Sequence, residues 1–398
     1  VIVLDIKSGE LFPVRAEVTV FGTGGYGRVY RNSTNALINT GSGIGMAYKA
    51  GVPLKDMEFV QFHPTTLIGT NILMTEGCRG EGGYLLNNKG ERFMEKYAPT
   101  AMELAPRDIV SRCIMTEIEE GRGFEHPLGT YIQLDLRHLG EKKIIERLPG
   151  IRSICIDFIG IDPVKKPIPI MPSQHYSMGG IDVNEKSASE VKGFYAGGEC
   201  ACVSVHGANR LGGNSLLDTI VFGKLSAKAI TEELSGSDMK PQEKPLINLQ
   251  KEVENKIKRL SQPGGERSYK LVADLGAVMS EKVGIFRIKG ELAEALDEVI
   301  KIKKRYKKVT ISCTDRHMNY ELLNALELEY MLEVAHTIVL GALLREESRG
   351  AHFRRDFTAR NDKEWLKHTV ARMDEKGDPL ISYKEVKITS YQPMERKY

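Results

Sequence analysis

Gly22-Thr23-Gly24-Gly25-Tyr26-Gly27 follows a run, residues 15–21, that reads as a β-strand ending in Val18-Thr19-Val20-Phe21. A strand entering G-x-G-x-x-G is how a dinucleotide-binding α/β unit begins, its glycines letting the backbone approach a pyrophosphate. Such a unit also needs an acid about 20 residues on to hold a ribose. Residues 18–55 contain no Asp or Glu, only the cations Arg28, Arg31, Lys49 and Lys55. The match fails as a first Rossmann loop. Two readings stay open: tight turns, or a cradle whose backbone N–H groups favour an anion.

A second cluster, Thr40-Gly41-Ser42-Gly43-Ile44-Gly45, opens a small-residue helix ending at Gly51. Further on, Gly193-Phe-Tyr-Ala-Gly-Gly-Glu199 reads as a strand closing on two glycines and a carboxylate, so Glu199 is a candidate for the missing acid. Then comes Asn209-Arg-Leu-Gly-Gly-Asn-Ser215-Leu-Leu-Asp218. Ser215 with Asp218 fits a capping box that opens a helix through Leu216, Leu217, Ile220, Val221 and Leu225.

Residues 173–236 therefore resume the sheet begun in 1–54, and 55–172 is an inserted domain with a helix over 107–120. A polar, proline-bearing linker spans 237–245. Amphipathic helices follow at 246–260, 291–308 and 320–346 inside a helical domain, 241–346. The tail, 347–398, is a C-terminal domain with a strand at 385–389. The fold class is α/β: an interrupted Rossmann-like domain, an inserted α+β domain and a C-terminal helical domain.

Composition sets outer bounds. The 398 residues suit two or three domains, and a net charge of +3 gives no case for nucleic acid. The six cysteines form no C-x-x-C pair, which suits free thiols in a reducing compartment. No apolar run approaches the roughly 20 residues of a membrane helix, and there is no signal peptide. The chain begins at Val1, within a strand read over 1–6, which points to a fragment.

Three histidines stand in unusual settings: His63 before Pro64, His175 before Tyr-Ser-Met-Gly-Gly180, and His206 four residues before Arg210. A residue preceding proline is extended rather than helical. Arginine pairs naturally with a carboxylate through its planar fork. Taken singly, each histidine is more often structural, as are His126, His138, His317, His336, His352 and His368. Thr75-Glu76-Gly-Cys78-Arg79-Gly-Glu81-Gly82-Gly83 strings charges between glycines that let the backbone approach a ligand. Cys78 there is expected to be a reactive thiol, because an adjacent arginine favours the thiolate.

Together with Gly90-Glu-Arg-Phe-Met94, Pro106-Arg-Asp108, Arg147-Leu-Pro-Gly150, Asp162-Pro-Val-Lys165 and Ser348-Arg-Gly-Ala-His352, these segments resemble succinate dehydrogenase and fumarate reductase flavoprotein subunits. The similarity runs over essentially the whole chain. It implies FAD as cofactor, 1–54 with 173–236 as the second half of an FAD-binding domain, and 55–172 as a capping domain over succinate or fumarate. By the resemblance His63, Thr75, His175 and Arg210 are substrate ligands. Arg107 is the proton donor, and Glu76 and Arg79 are its relay. Gly24, Gly25, Thr40, Gly41, Ser42, Glu199, Asn214, Ser215 and Leu216 contact FAD. Ser42 stands where the family usually has an aspartate.

The resemblance further implies an iron–sulfur subunit as electron partner, membrane anchor subunits reached through it, and quinone beyond. The protein would be peripheral on the cytoplasmic face of the membrane, or on the matrix side of a mitochondrion. It also places the first glycine loop, and the histidine that carries FAD covalently, upstream of Val1. Pro106-Arg-Asp108 and 134–139 lean slightly toward fumarate reductases. The alternatives are an L-aspartate oxidase, which typically lacks the Gly77-Cys-Arg-Gly-Glu-Gly-Gly83 context, and an inert fragment.

Overall fold

A computed structural model describes residues 1–235 and 243–394. Strands β1 (Ile2–Leu4) and β2 (Leu11–Pro13) form an antiparallel hairpin, and β3 (Thr19–Phe21) leads into the glycine loop. Helix α1 (Ser42–Lys49) starts from Gly41, whose φ is +76°. A Cβ there would lie 2.6 Å from the Cβ of buried Tyr26, so both the left-handed backbone and the close approach require glycine. Strand β4 (Leu54–Lys55) follows.

The inserted segment builds its own layer. Strands β5 (Val60–Leu67), β6 (Tyr84–Leu86), β7 (Ile132–Asp135) and β8 (Ile168–Ser177) pair antiparallel in the order β5-β8-β7-β6. Between them lie α2 (Glu76–Gly80), α3 (Met94–Tyr97), α4 (Arg107–Glu119), α5 (Glu141–Arg147) and α6 (Pro149–Ile159). Helix α4 begins directly after Pro106, where the sequence reads a helix over 107–120, and its buried face carries Val110, Cys113 and Ile114. These side chains join Leu85, Ile132 and Ile170 in a core whose buried members all fall between residues 67 and 170.

The chain then returns. Strand β9 (Gly180–Asp182) pairs with β4, and β10 (Phe194–Ala196) lies parallel to β3, so the later segment does rejoin the opening strands. After β11 (Ala201–Cys202), α7 (Asn214–Ser235) begins one residue before the expected cap. Asp218 does not complete a capping box; its carboxylate faces His206 Nε2 at 3.3 Å.

Of the expected linker, 237–242 lie outside the described residues and 243–245 already belong to α8 (Glu243–Leu260). Helices α9 (Ser268–Lys282), α10 (Lys289–Tyr306) and α11 (Tyr320–Leu344) follow, α9 without having been expected. Helix α11 is not amphipathic: Leu328, Leu332, Ala335, His336, Ile338 and Val339 are all buried, so nearly every side of it is covered.

The tail is joined to the main sheet. After α12 (Asp362–Trp365), β12 (Lys367–Met373) and β13 (Pro379–Glu385) extend a five-stranded sheet ordered β11-β9-β4-β12-β13. The strand expected at 385–389 is absent. A turn supplies the reason: Asp374 Oδ1 accepts from the backbone N–H groups of Lys376 and Asp378 beside Gly377 at φ +85°, which sets the hairpin earlier. Arg345 anchors this region. Fully buried, it donates to Glu58 at 2.6 Å, to Glu347 at 3.0 Å, to Thr369 Oγ1, and to the carbonyls of Trp365 and Lys367.

Candidate active site

Strand β5 supplies Gln61 and His63, both fully buried. Its pairing with β8 shifts register between Gln61 and Phe62, and again between His63 and Thr66. Pro64 has no N–H to give the ladder, which accounts for the second irregularity. The His63 Nδ1 lies 3.2 Å from the Thr65 backbone N–H, while Nε2 has no partner among the described residues. From β8, His175 brings its ring to 5.0 Å from that of His63, at 66°. Thr34 Oγ1 fixes the far side of His175 through Nδ1 at 2.8 Å.

Two arginines converge on the same place. Arg107, the first residue of α4, donates from Nε to Glu76 Oε2 at 2.9 Å and from Nη1 to Gln61 Oε1 at 3.1 Å. Arg210 donates from Nη2 to the same Gln61 oxygen at 3.2 Å, and from Nη1 to the Leu211 carbonyl at 3.0 Å. Its guanidinium stacks 4.3 Å above the Tyr176 ring, and its Nε has no partner among the described residues. The 211–213 turn closes over the pair, since a Cβ on Gly212 would sit 3.3 Å from Glu76 Oε2.

The electrostatics of this cluster are one-sided. Burial first, then Arg107 and Arg210, push the His175 imidazole down to about 3. Burial, then His175 and Arg107, hold His63 well below the usual histidine range. Burial followed by Arg107 also lowers the Arg210 guanidinium. Neutral histidines beside two or three cations form a cavity wall that favours an anion.

Helix α2 holds the remaining residues. Thr75 caps it, its Oγ1 accepting from the Gly77 N–H at 3.3 Å, and is solvent-exposed. Glu76 bridges outward from Arg107 toward Arg79, whose Nη2 is 4.0 Å away. Arg79 is buried, donates to the Glu103 carbonyl, and leaves Nε and Nη2 without partners among the described residues. Cys78 corrects an expectation: it is fully buried, and burial pushes its thiol up to about 12 despite the adjacent arginine. His206 is turned away, between Tyr176 Oη and Asp218.

The candidate cofactor residues lie on the neighbouring side. Glu199 accepts from the Ser177 N–H at 2.9 Å, and a Cβ on Gly25 would approach its Oε1 to 2.4 Å. Burial pushes the Glu199 carboxyl up to about 7. Thr40 is buried with no partner for its hydroxyl among the described residues, and α1 begins at Ser42 with neither a side-chain cap nor an acid in its first turn. Helix α7 likewise has no acid in its first turn, while Leu216 is 72% exposed. Two helix N-termini open to negative charge, an unpartnered hydroxyl and exposed leucine suit a ligand that is anionic at one end and flat and apolar at the other, as FAD is.

The sequence reading gave no role to Gln61, Tyr176, Asn209 or Thr34. Gln61 was within reach, two residues before His63 on a strand and hence on a related face.

Similarity to known proteins extends over nearly the whole chain. Residues 1–216 match the FAD binding domain family, and 272–398 match the fumarate reductase flavoprotein C-terminal family. The chain is 43% identical to the fumarate reductase flavoprotein subunit of Escherichia coli K12, covering 100% of this chain and 68% of that one. It is 45% identical to the succinate dehydrogenase flavoprotein subunit of Rickettsia felis, covering 98% and 67% respectively. A solved quinol–fumarate reductase with menaquinol molecules superposes with a TM-score of 0.94 at 43% identity, over 99% of this chain and 70% of that one. These relatives favour the succinate/fumarate reading over the aspartate-oxidase one. The chain belongs to the fumarate reductase and succinate dehydrogenase flavoprotein subunits, FAD-dependent oxidoreductases that interconvert succinate and fumarate.

Proposed function

We propose that His63, Thr75, His175 and Arg210 hold the dicarboxylate and that Arg107 is the acid of fumarate reduction, with Glu76 and Arg79 returning its proton. One observation carries this reading: Arg107, Arg210 and two neutral histidines face one another with Glu76 as the carboxylate bonded to Arg107. A dianion supplies the negative charge such a cluster lacks.

Reduction adds a hydride to one alkene carbon and a proton to the other, and bound FAD supplies the hydride. The chain's own part is to hold both carboxylates and to deliver the proton. A free guanidinium is a poor acid, with a pKa above about 12. Glu76 and Gln61 hold Arg107 in place, and negative charge building on the adjacent carbon draws the proton from its guanidinium. Glu76, in direct contact with Arg107, takes the next proton from the direction of Arg79. Gly24, Gly25, Thr40, Gly41, Ser42, Glu199, Asn214, Ser215 and Leu216 form the FAD side of the cleft.

Domain extents of 1–54 with 173–236, 55–172, 241–346 and 347–398 accord with the separate core of the inserted segment, with β8 running five residues past one boundary. An iron–sulfur subunit accepting electrons, membrane anchors beyond it and a peripheral site on the cytoplasmic or matrix face complete the reading. Its support is that the similar solved protein is a quinol–fumarate reductase, and that no helix among the described residues is long and apolar enough to cross a membrane.

Arg107→Ala in the flavin-loaded complex tests the proton-donor role. Fumarate reduction by a reduced viologen should fall about 10²–10⁴-fold or more, with malonate affinity largely kept. A loss confined to KM would make Arg107 a substrate ligand.

A further inference from the structure

Gln61 is fully buried, and its amide is used to capacity. The oxygen accepts from Arg107 Nη1 at 3.1 Å and Arg210 Nη2 at 3.2 Å; the nitrogen donates to Asn209 Oδ1 at 2.8 Å and the Arg210 carbonyl at 2.7 Å. Two lone pairs and two hydrogens meet two donors and two acceptors, which is all that a primary amide can satisfy. The opposite amide orientation would set an NH₂ against two guanidiniums and an oxygen against two oxygens, so the neighbours permit one orientation.

The two arginines reach this oxygen from different elements. Arg107 opens α4 in the inserted segment, whereas Arg210 follows β11 in the segment that rejoins the opening strands. The chain of bonds continues, for Asn209 donates to Asp108 Oδ1 at 2.9 Å, and Asp108 is the residue after Arg107. Gln61 thus binds the side chain of Arg107, and Asn209 the carboxylate of the next residue on α4.

We propose that Gln61 is a positioning residue that fixes the spacing between Arg107 and Arg210, and that its neutrality leaves both guanidiniums free to share the substrate's negative charge. This rests on the roles proposed above for those arginines. A neutral acceptor orients two cations without cancelling them. A carboxylate in the same place would also orient them, but it would occupy the charge the dicarboxylate needs.

Two variants in the complete flavin-loaded complex separate these effects: Gln61→Met keeps the volume and removes the acceptor, and Gln61→Glu keeps the acceptor and adds charge. Fumarate reduction, malonate affinity by calorimetry and the thermal midpoint are measured for each at about pH 7. For Gln61→Met the expectation is a fall in kcat of about 10²-fold, the scale of a misplaced catalytic group. For Gln61→Glu, kcat should stay within about tenfold of the parent, while KM and the malonate Kd rise at least about tenfold. The introduced carboxyl stays ionised between the two guanidiniums, so a loss in KM and Kd with kcat kept is the split that a purely structural role would not produce. The proposal is overturned if both variants keep kcat and KM within about threefold of the parent. It is equally overturned if both lose kcat with a lowered thermal midpoint and unchanged malonate affinity. Failure of the parent complex to reduce fumarate would instead strike the functional reading, and the malonate titrations would still judge Gln61.

Discussion

At the scale of single residues the site is a study in withheld protonation. His175 is pushed down to about 3 from an ordinary value near 6.5, and His63 lies well below its own. Between those limits the unfolded chain binds protons that the folded chain does not, so stability rises with pH across the window and is lost as pH falls from about 6.5 toward 3. Glu199 acts in the opposite sense: with its carboxyl raised to about 7, its contribution is present below about pH 4.5 and lost as pH rises through 7. Replacing His175 with Gln should therefore flatten the fall of the thermal midpoint between pH 6.5 and 5, by up to one proton's worth of slope. An unchanged slope would mean that His175 titrates normally. None of this was visible in the sequence, where His63 and His175 looked no different from buried structural histidines until the resemblance ordered them. Cys78 failed for the same reason in reverse: its charged neighbours could be read, but its complete burial could not.

At the scale of elements, what could be read was what glycine and periodicity announce. The glycine clusters, the return of the chain to its opening strands and the helix read over 107–120 all survive in the structure. Helix α11 was misread because a helix buried all round has no polar face to report, and α9 escaped because small and polar residues interrupt its apolar pattern. The tail strands were misplaced because the Asp374 turn outweighed the apolar run after it. The Gly41 turn shows how firmly such an element can be specified. Gly41→Ala would force a side chain into left-handed backbone, at roughly 1–2 kcal/mol, and set its Cβ against Tyr26. The expected outcome is a lower denaturation midpoint together with a lower flavin content in the purified protein. Full flavin retention would show that the start of α1 does not contact the cofactor.

Across the whole molecule a net charge of +3 is small for 398 residues, yet the positive charge is concentrated where Arg79, Arg107 and Arg210 meet beside two uncharged imidazoles. A field focused in a cleft speeds the arrival of a dianion, and dissolved salt screens it over about 8–10 Å at ordinary ionic strength. For the flavin-loaded complex, kcat/KM for fumarate should fall as salt is raised from about 0.01 to 0.15 M, with kcat nearly constant. A parallel fall in both would place the salt effect on a later step.

The buried Arg345 network has a bearing on how the protein comes apart. Arg345 joins Glu58, just before β5, to Glu347 and to the backbone leading into β12, with no water-facing charge among the three. Peeling the tail away would strip the buried Arg345 of Glu347, the Thr369 hydroxyl and the Trp365 and Lys367 carbonyls, leaving its guanidinium short of partners at a cost of several kcal/mol. Fraying from the C-terminal strands is therefore suppressed well beyond what a two-residue bridge to β4 could achieve. The last strands of the chain and the segment that opens β5, more than 300 positions apart in sequence, are bound to lose their structure together.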